Sequence, residues 1–330
     1  MRHLTSGRRK SFGGLEENTV SAFGHHPMVV VYSPSYQIDI GTHVFPTRKY
    51  ALLYEQIRAS SAGAEFVEPQ PASWPQLQTV HTAEYLAKLQ KGDFTLEELA
   101  QLELPWSPAI VEGFRSMTGG TIAAARRALS AAPRPPSAPR PRRAFHIGGG
   151  FHHAFASHGE GFCVFNDVAV TIAVLFEEGR IERASVIDLD VHHGNGTAFT
   201  FESDTRVFTF SMHQQHNYPA LKPRGSLDIG LPDGTGDETY LERLSTALPE
   251  VLLHAPQIAF YLAGADPYED DQLGGLALTK EGLRTRDRMV LKACADAEVP
   301  VVVLLAGGYA RRLQDTVDIH YATFAEANAV

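Results

Sequence analysis

The segment at 183–190 (RASVIDLD) reads as a short strand buried on both faces, with Val186, Ile187 and Leu189 as its apolar body, yet it carries two carboxylates, Asp188 and Asp190. An unpaired carboxylate in such a place is strongly unfavourable, so something cationic or hydrogen-bonding must receive each one. A metal ion is the economical receiver. Side chains two residues apart on an extended segment point the same way, so Asp190 and His192 of the run DLDVHHGNG (188–196) can reach one ion while Asp188 holds a neighbouring group. Gly194 and Gly196 let the backbone turn beneath such a site. The fold must therefore make the carboxyl end of this strand a site, not a mere loop.

The rest of the chain supplies similar strands separated by helices. Strands are expected at 28–33 (MVVVYS), 143–147 (RAFHI), 206–212 (RVFTFSM), 257–266 (QIAFYLAGAD) and 299–309 (VPVVVLLAGGY). Helices are expected at 47–60, 83–90, 112–130, 164–178, 238–253 and 279–297. This alternation implies an α/β protein, a single-domain three-layer αβα fold with a mainly parallel sheet covered on both faces. The stretch AAPRPPSAPRPRR (131–143) can form neither helix nor strand interior and reads as a surface insertion. The strand that follows it leads straight into site-like residues, so one domain is expected over 27–330. Residues 1–26 are basic and polar without an apolar signal core, and are expected to be disordered.

Polar residues gather at the carboxyl ends of the strands, at 148–153, 188–195, 211–216, Asp266 and Tyr309. Open parallel sheets bind ligands along that edge. A net charge of −9 argues against direct nucleic-acid binding, which needs clustered basic residues. Two cysteines, Cys163 and Cys294, exclude a disulfide framework and point to a reducing compartment, the cytoplasm, with nucleus or organelle open. No run of 18 apolar residues is present, so no membrane span is expected.

A catalytic zinc takes three protein ligands and keeps one position open. Asp190 and His192 supply two, and the best third ligand is Asp266, which also ends an apolar strand. In GGGFHHA (148–154), the adjacent imidazoles of His152 and His153 suit proton transfer near a metal. In AGGYA (306–310), the Tyr309 hydroxyl could donate to a developing oxyanion.

Together these segments resemble the zinc-dependent histone deacetylases of the arginase/deacetylase fold, from about Val29 to Ala325. The resemblance rests on HTAEYLAKL at His81, GGGFHHA at Gly148, GFCVFND at Gly161, DLDVHHGNGT at Asp188, GADPYEDDQLGGLALT at Gly264 and AGGY at Ala306. The GGGFHHA and GGY forms are most similar to class IV and bacterial members. The resemblance implies Zn2+, or Fe2+ in its place, on Asp190, His192 and Asp266. It implies His153 as general base and later acid, His152 as its electrostatic partner and Tyr309 as donor to the substrate carbonyl. Asp188 would orient His152, and Asn195 would sit behind His153, where many class I members carry aspartate. Phe162, beside Gly161, would form one wall of an acyl tunnel, with Gly307 near the substrate. Tyr218 or His216 would form the opposite wall, because MHQQHNYPAL (212–221) departs from the usual phenylalanine pattern. A structural K+ would use Asp188, Asp190, His192, Ser211 and Met212.

The implied reaction is removal of acetyl or longer acyl groups from lysine side chains, with acylated lysine in proteins or a small acylated amine as partner. The oligomeric state is left open. One alternative is a deacetylase of acetylpolyamines, for which the acidic run Glu269, Asp270 and Asp271 speaks. Another is a catalytically silent acyl-lysine-binding scaffold, against which the complete residue set argues. A binuclear manganese ureohydrolase is disfavoured, because glycines at 148–150 and 264 stand where it needs further ligands.

Overall fold

The computed structural model describes residues 28–61, 63–130 and 143–329. The basic start and the proline-rich stretch lie outside them, up to Arg142 in the second case. Eight strands form one sheet: β1 (Val29–Val31), β2 (Glu65–Val67), β3 (Arg143–His146), β4 (Ala184–Asp188), β5 (Val207–Gln214), β6 (Leu227–Leu231), β7 (Ala259–Leu262) and β8 (Val301–Leu304). Their order is β2-β1-β3-β8-β7-β4-β5-β6. Every neighbouring pair is parallel.

Among the described residues ten α-helices accompany the sheet: α1 (Arg48–Ser60), α2 (Trp74–Leu77), α3 (Ala83–Lys91), α4 (Leu96–Leu102), α5 (Pro108–Leu129), α6 (Asp167–Glu177), α7 (Asn195–Phe201), α8 (Asp237–Leu253), α9 (Lys280–Asp296) and α10 (Leu313–Ala329). The strands AFYL and VVVL are buried at every residue, as parallel strands covered on both sides must be. Alternation along them sorts the core into two layers. Phe145, Ile187, Tyr261 and Val303 share a cluster with residues of α1, α8, α9 and α10. Ala144, Val186, Phe260 and Val302 share the other with residues of α5 and α6. The expected three-layer α/β fold is present.

Two edge strands and four helices were not anticipated, for separate physical reasons. β2 is three half-buried residues, and β6 (LDIGL) carries Asp and Gly, so neither has a strong strand signal. α7 opens on Asn-Gly, poor helix formers that tertiary contacts override. α2 and α4 are short, with capping boxes at Ser73 and Thr95 as their main signature. α10 follows directly on the GGY segment and was not separated from it. Caps also set boundaries: α5 starts earlier than expected, after Ser107, and α6 later, after Asn166.

The sheet register positions the site. His146 of β3 lies level with Leu304 of β8, Leu304 with Leu262 of β7, and Leu262 with Asp188 of β4. Four adjacent central strands thus end on one line. The segments leaving them carry His152 and His153, Tyr309, Asp266, and Asp190 with His192.

Candidate metal and catalytic site

Asp190, His192 and Asp266 each offer a ligand atom, all within 4.8 Å of one another and all buried. The backbone fixes both carboxylates. The Val191 amide donates to Asp266 Oδ1 at 2.9 Å, and the Gly307 amide donates to Asp190 Oδ2 at 2.7 Å. Asp266 Oδ2 is buried without a hydrogen-bond partner and lies 3.5 Å from His192 Nδ1. An orphaned carboxylate oxygen facing an imidazole nitrogen and a second carboxylate is a donor set that fits a divalent ion. A Cβ at position 307 would stand 1.9 Å from Asp266 Oδ2 and 2.6 Å from Asp190 Oδ2, so only glycine is accommodated there.

Electrostatics match this crowding. Burial, reinforced by the charge of Asp190, raises the pKa of Asp266. Burial opposes a charged His192, yet its hydrogen bond to Asp190 and the charges of Asp190 and Asp266 prevail and hold it up at about 10. Beneath the ligand segments lies the fully buried Arg286, unremarked in the sequence. Its guanidinium donates to the carbonyls of Gly264 (2.7 Å) and Leu189 (3.3 Å) and pairs with Asp287 at 2.8 Å.

The two imidazoles stand in line beside these ligands. His152 Nδ1 lies 2.7 Å from Asp188 Oδ2, which assigns Nδ1 as a donor, and its Nε2 lies 3.1 Å from His153 Nε2. His153 Nδ1 lies 2.7 Å from Asn195 Oδ1. Burial would strip the charge from His152, but Asp188 and Asp190 outweigh it and hold its pKa up at about 9. Burial and the charges of His152 and His192 push His153 well below the ordinary histidine value. The result is a neutral imidazole next to a charged one, two roles set by environment.

Tyr309 faces the same cavity, which is lined by His152, His153, Asp190, His192, Phe162 and Tyr309 among others. Burial and nearby Asp190 keep its hydroxyl well above the usual phenol range, so it is a proton donor. Phe162 packs 5.9 Å from Tyr309 and stacks 6.1 Å from Phe45, a wall residue that sequence reading missed. Phe162 has φ 66°, costly for a bulky side chain, and is held there by hydrogen bonds donated by the Gly161 amide to Gln101 O and by the Phe162 amide to Leu102 O. Tyr218 packs edge-on at 5.0 Å against His153 and lines an adjoining groove, whereas His216 is exposed.

The loop around Tyr309 is tied down by groups the sequence did not single out. Lys49, fully buried, donates from Nζ to Ala306 O at 3.0 Å. Burial lowers its pKa to about 8, against the pull of Asp266, Asp190 and Asp271. Asp271 accepts the Tyr309 amide at 2.7 Å and the amides of Leu273 and Gly274. Of the acidic run at 269–271, Asp271 is a buried loop anchor, Asp270 is half-exposed and pairs with Arg311 at 3.3 Å, and Glu269 is exposed. Ser211 lies level with Asp188 across β4 and β5, with its Oγ 3.0 Å from His213 Nδ1, and Met212 is in the core. Glu160 is the other residue the sequence reading passed over. Its Oε1 accepts from Asn195 Nδ2 at 2.6 Å and from the Tyr218 hydroxyl at 2.9 Å. A lone Glu between two glycines ahead of the GFC segment was the available signal.

Among the described residues no helix is long and apolar enough to cross a membrane. Residues 43–324 match the family model of the histone deacetylase domain. An uncharacterized protein of Picosynechococcus sp. is 38% identical over 299 residues, covering 88% of this chain and 95% of that protein. Histone deacetylase 2 of Arabidopsis thaliana is 31% identical over 310 residues, covering 88% of this chain and 77% of that protein. The crystal structure of an HDAC homolog complexed with SAHA aligns with a TM-score of 0.76 at 24% identity, over 92% of this chain and 84% of that one.

Proposed function

Since this chain belongs to the histone deacetylase family, we propose that it is a zinc-dependent hydrolase that cleaves the amide of acylated lysine side chains. The observation that carries the reading is convergence: two of the three clustered ligands, Asp190 and His192, a neutral imidazole and a buried phenol face one aromatic-walled cavity. Asp190, His192 and Asp266 would hold Zn2+, or Fe2+ in its place. A divalent ion there supplies Lewis acidity, making water acidic and polarising the acyl carbonyl.

The chain's own residues do the rest. His153 Nε2 takes a proton from the attacking water, since its Nδ1 is engaged by Asn195 and its low proton affinity keeps it neutral beforehand. His152, held charged by Asp188, lends positive potential to the same place. As charge builds on the acyl oxygen, the Tyr309 hydroxyl donates to it, a contribution of about 3 kcal/mol by analogy with other oxyanion donors. His153 Nε2 then delivers its proton to the departing nitrogen, the C–N bond breaks, and a carboxylate and a free amine leave. Phe162, Phe45 and Tyr309 form an apolar sleeve suited to the methylene stem of lysine.

Anchoring withdraws Asp271 from the acidic run that speaks for the polyamine alternative, leaving exposed Glu269 and half-exposed Asp270 in it; a protein lysine is the substrate we propose first. A K+ ion beside Asp188, Asp190, His192, Ser211 and Met212 belongs to the same proposal, as do a single catalytic domain over 27–330 and a reducing compartment such as the cytoplasm. The test is chelation and reconstitution. Hydrolysis of an acetyl-lysine peptide should cease on metal removal and return with Zn2+; hydrolysis indifferent to chelation would refute the reading.

A further inference from the structure

An asparagine behind an imidazole raises a problem that an aspartate would not. A carboxylate offers oxygen whichever way it turns, but a carboxamide offers oxygen from one end and N–H from the other. If the Asn195 amide were reversed, its nitrogen would donate to His153 Nδ1, the ring proton would move to Nε2, and that atom could no longer accept a proton. Asn195 is only 2% exposed, so bulk water cannot settle the choice.

Two contacts bear on it: the charged His152 turns its Nε2–H toward His153 Nε2 at 3.1 Å, and the far end of the amide is itself held. Asn195 Nδ2 lies 2.6 Å from Glu160 Oε1, and an ionised carboxylate can only accept. Glu160 is kept ionised: burial pushes its pKa up, but hydrogen bonds from His158, Asn195, Gln101 and Tyr218 overcome that and hold it near 2. Oε1 also takes the Tyr218 hydroxyl at 2.9 Å, and Oε2 takes Gln101 Nε2 at 3.1 Å. The carboxylate is thus fixed in position as well as in charge.

We propose that Glu160 is a positioning residue that sets the orientation of the Asn195 amide and, through it and in concert with the Nε2–H of His152, the tautomer of His153, leaving the lone pair on Nε2. The inference rests on the proposed role of His153 as proton acceptor, but its primary test does not need turnover. In protein labelled with 15N-histidine, the His153 signals are found by their loss in His153→Ala. Wild-type protein, metal-loaded, should show Nδ1 protonated and Nε2 bare. Both Glu160→Ala and the isosteric Glu160→Gln, whose own amide can present either end, should populate the Nε2–H form. Their kcat should fall between about tenfold and 10⁴-fold with KM little changed, the range expected when a base sits in the wrong tautomer.

An unchanged Nδ1–H tautomer in both variants would overturn the proposal, as would an Nε2–H tautomer in the wild type. A tautomer change in protein that never hydrolyses an acyl-lysine peptide would uphold the positioning role and instead defeat the functional reading.

Discussion

Gly307 and Asp190, 117 residues apart, are joined by an amide-to-carboxylate hydrogen bond of 2.7 Å. The segment that carries Tyr309 is thereby part of the scaffold of a ligand carboxylate, so loop geometry and metal binding are one property. Replacing Gly307 with alanine would put a methyl 1.9 Å from Asp266 Oδ2. We expect Gly307→Ala to lose metal affinity by 10-fold to 100-fold or more, as loss of supporting contacts does elsewhere. Zinc content after dialysis against a weak chelator measures this, and full retention would show that the ligands do not depend on this contact.

Metal affinity should rise with pH. In the metal-free protein His192 holds a proton up to about pH 10 because Asp190 and Asp266 stabilise it. A metal needs the bare nitrogen, so that proton must leave on binding. Below pH 10 each unit of acidification should cost up to roughly tenfold in affinity, and more than that below about pH 7, where Asp266 also holds a proton. Competition titrations at pH 6, 7 and 8, with proton release followed in weak buffer, check the sign. Affinity flat across this range would contradict the electrostatic account.

Tyr309→Phe removes one hydroxyl and leaves the ring in place beside Phe162 and Phe45. A fall in kcat of about 10²–10³-fold is expected, with KM and bound metal nearly unchanged, because the bond is made as charge develops. A loss confined to KM would assign the hydroxyl to ground-state binding.

Arg286 is a test of stability, not chemistry. Arg286→Met would leave Asp287 buried without its cation and the carbonyls of Gly264 and Leu189 without a donor. Breaking such a pair costs about 3–5 kcal/mol, which urea unfolding of the metal-free variant and parent would measure. A difference under about 1 kcal/mol would mean that Tyr261 and Thr323, which also donate to Asp287, suffice to hold its charge.

The central architecture was legible because buried parallel strands announce themselves as apolar runs, and because Asp188, Asp190 and Asp266 are anomalous in such runs. The same signal found His152, His153 and Tyr309, since each follows glycines at a strand end. What escaped was pairing at a distance. Lys49 lies in an ordinary amphipathic helix, and only the fold shows its Nζ reaching Ala306. Arg286 sits within α9 among other charged residues, with nothing to mark it as the buried one. Asp271 belongs to an acidic run, yet three backbone amides converge on it alone. Edge strands β2 and β6 escaped because edges need less apolar cover than centres.

The most direct measurement is turnover by the zinc-loaded protein on three substrates, an acetyl-lysine peptide, a myristoyl-lysine peptide and an acetylated polyamine, with His153→Ala alongside. The account predicts hydrolysis of a lysine peptide that vanishes in the variant while zinc stays bound. No turnover on any substrate, with one zinc per chain, would contradict it.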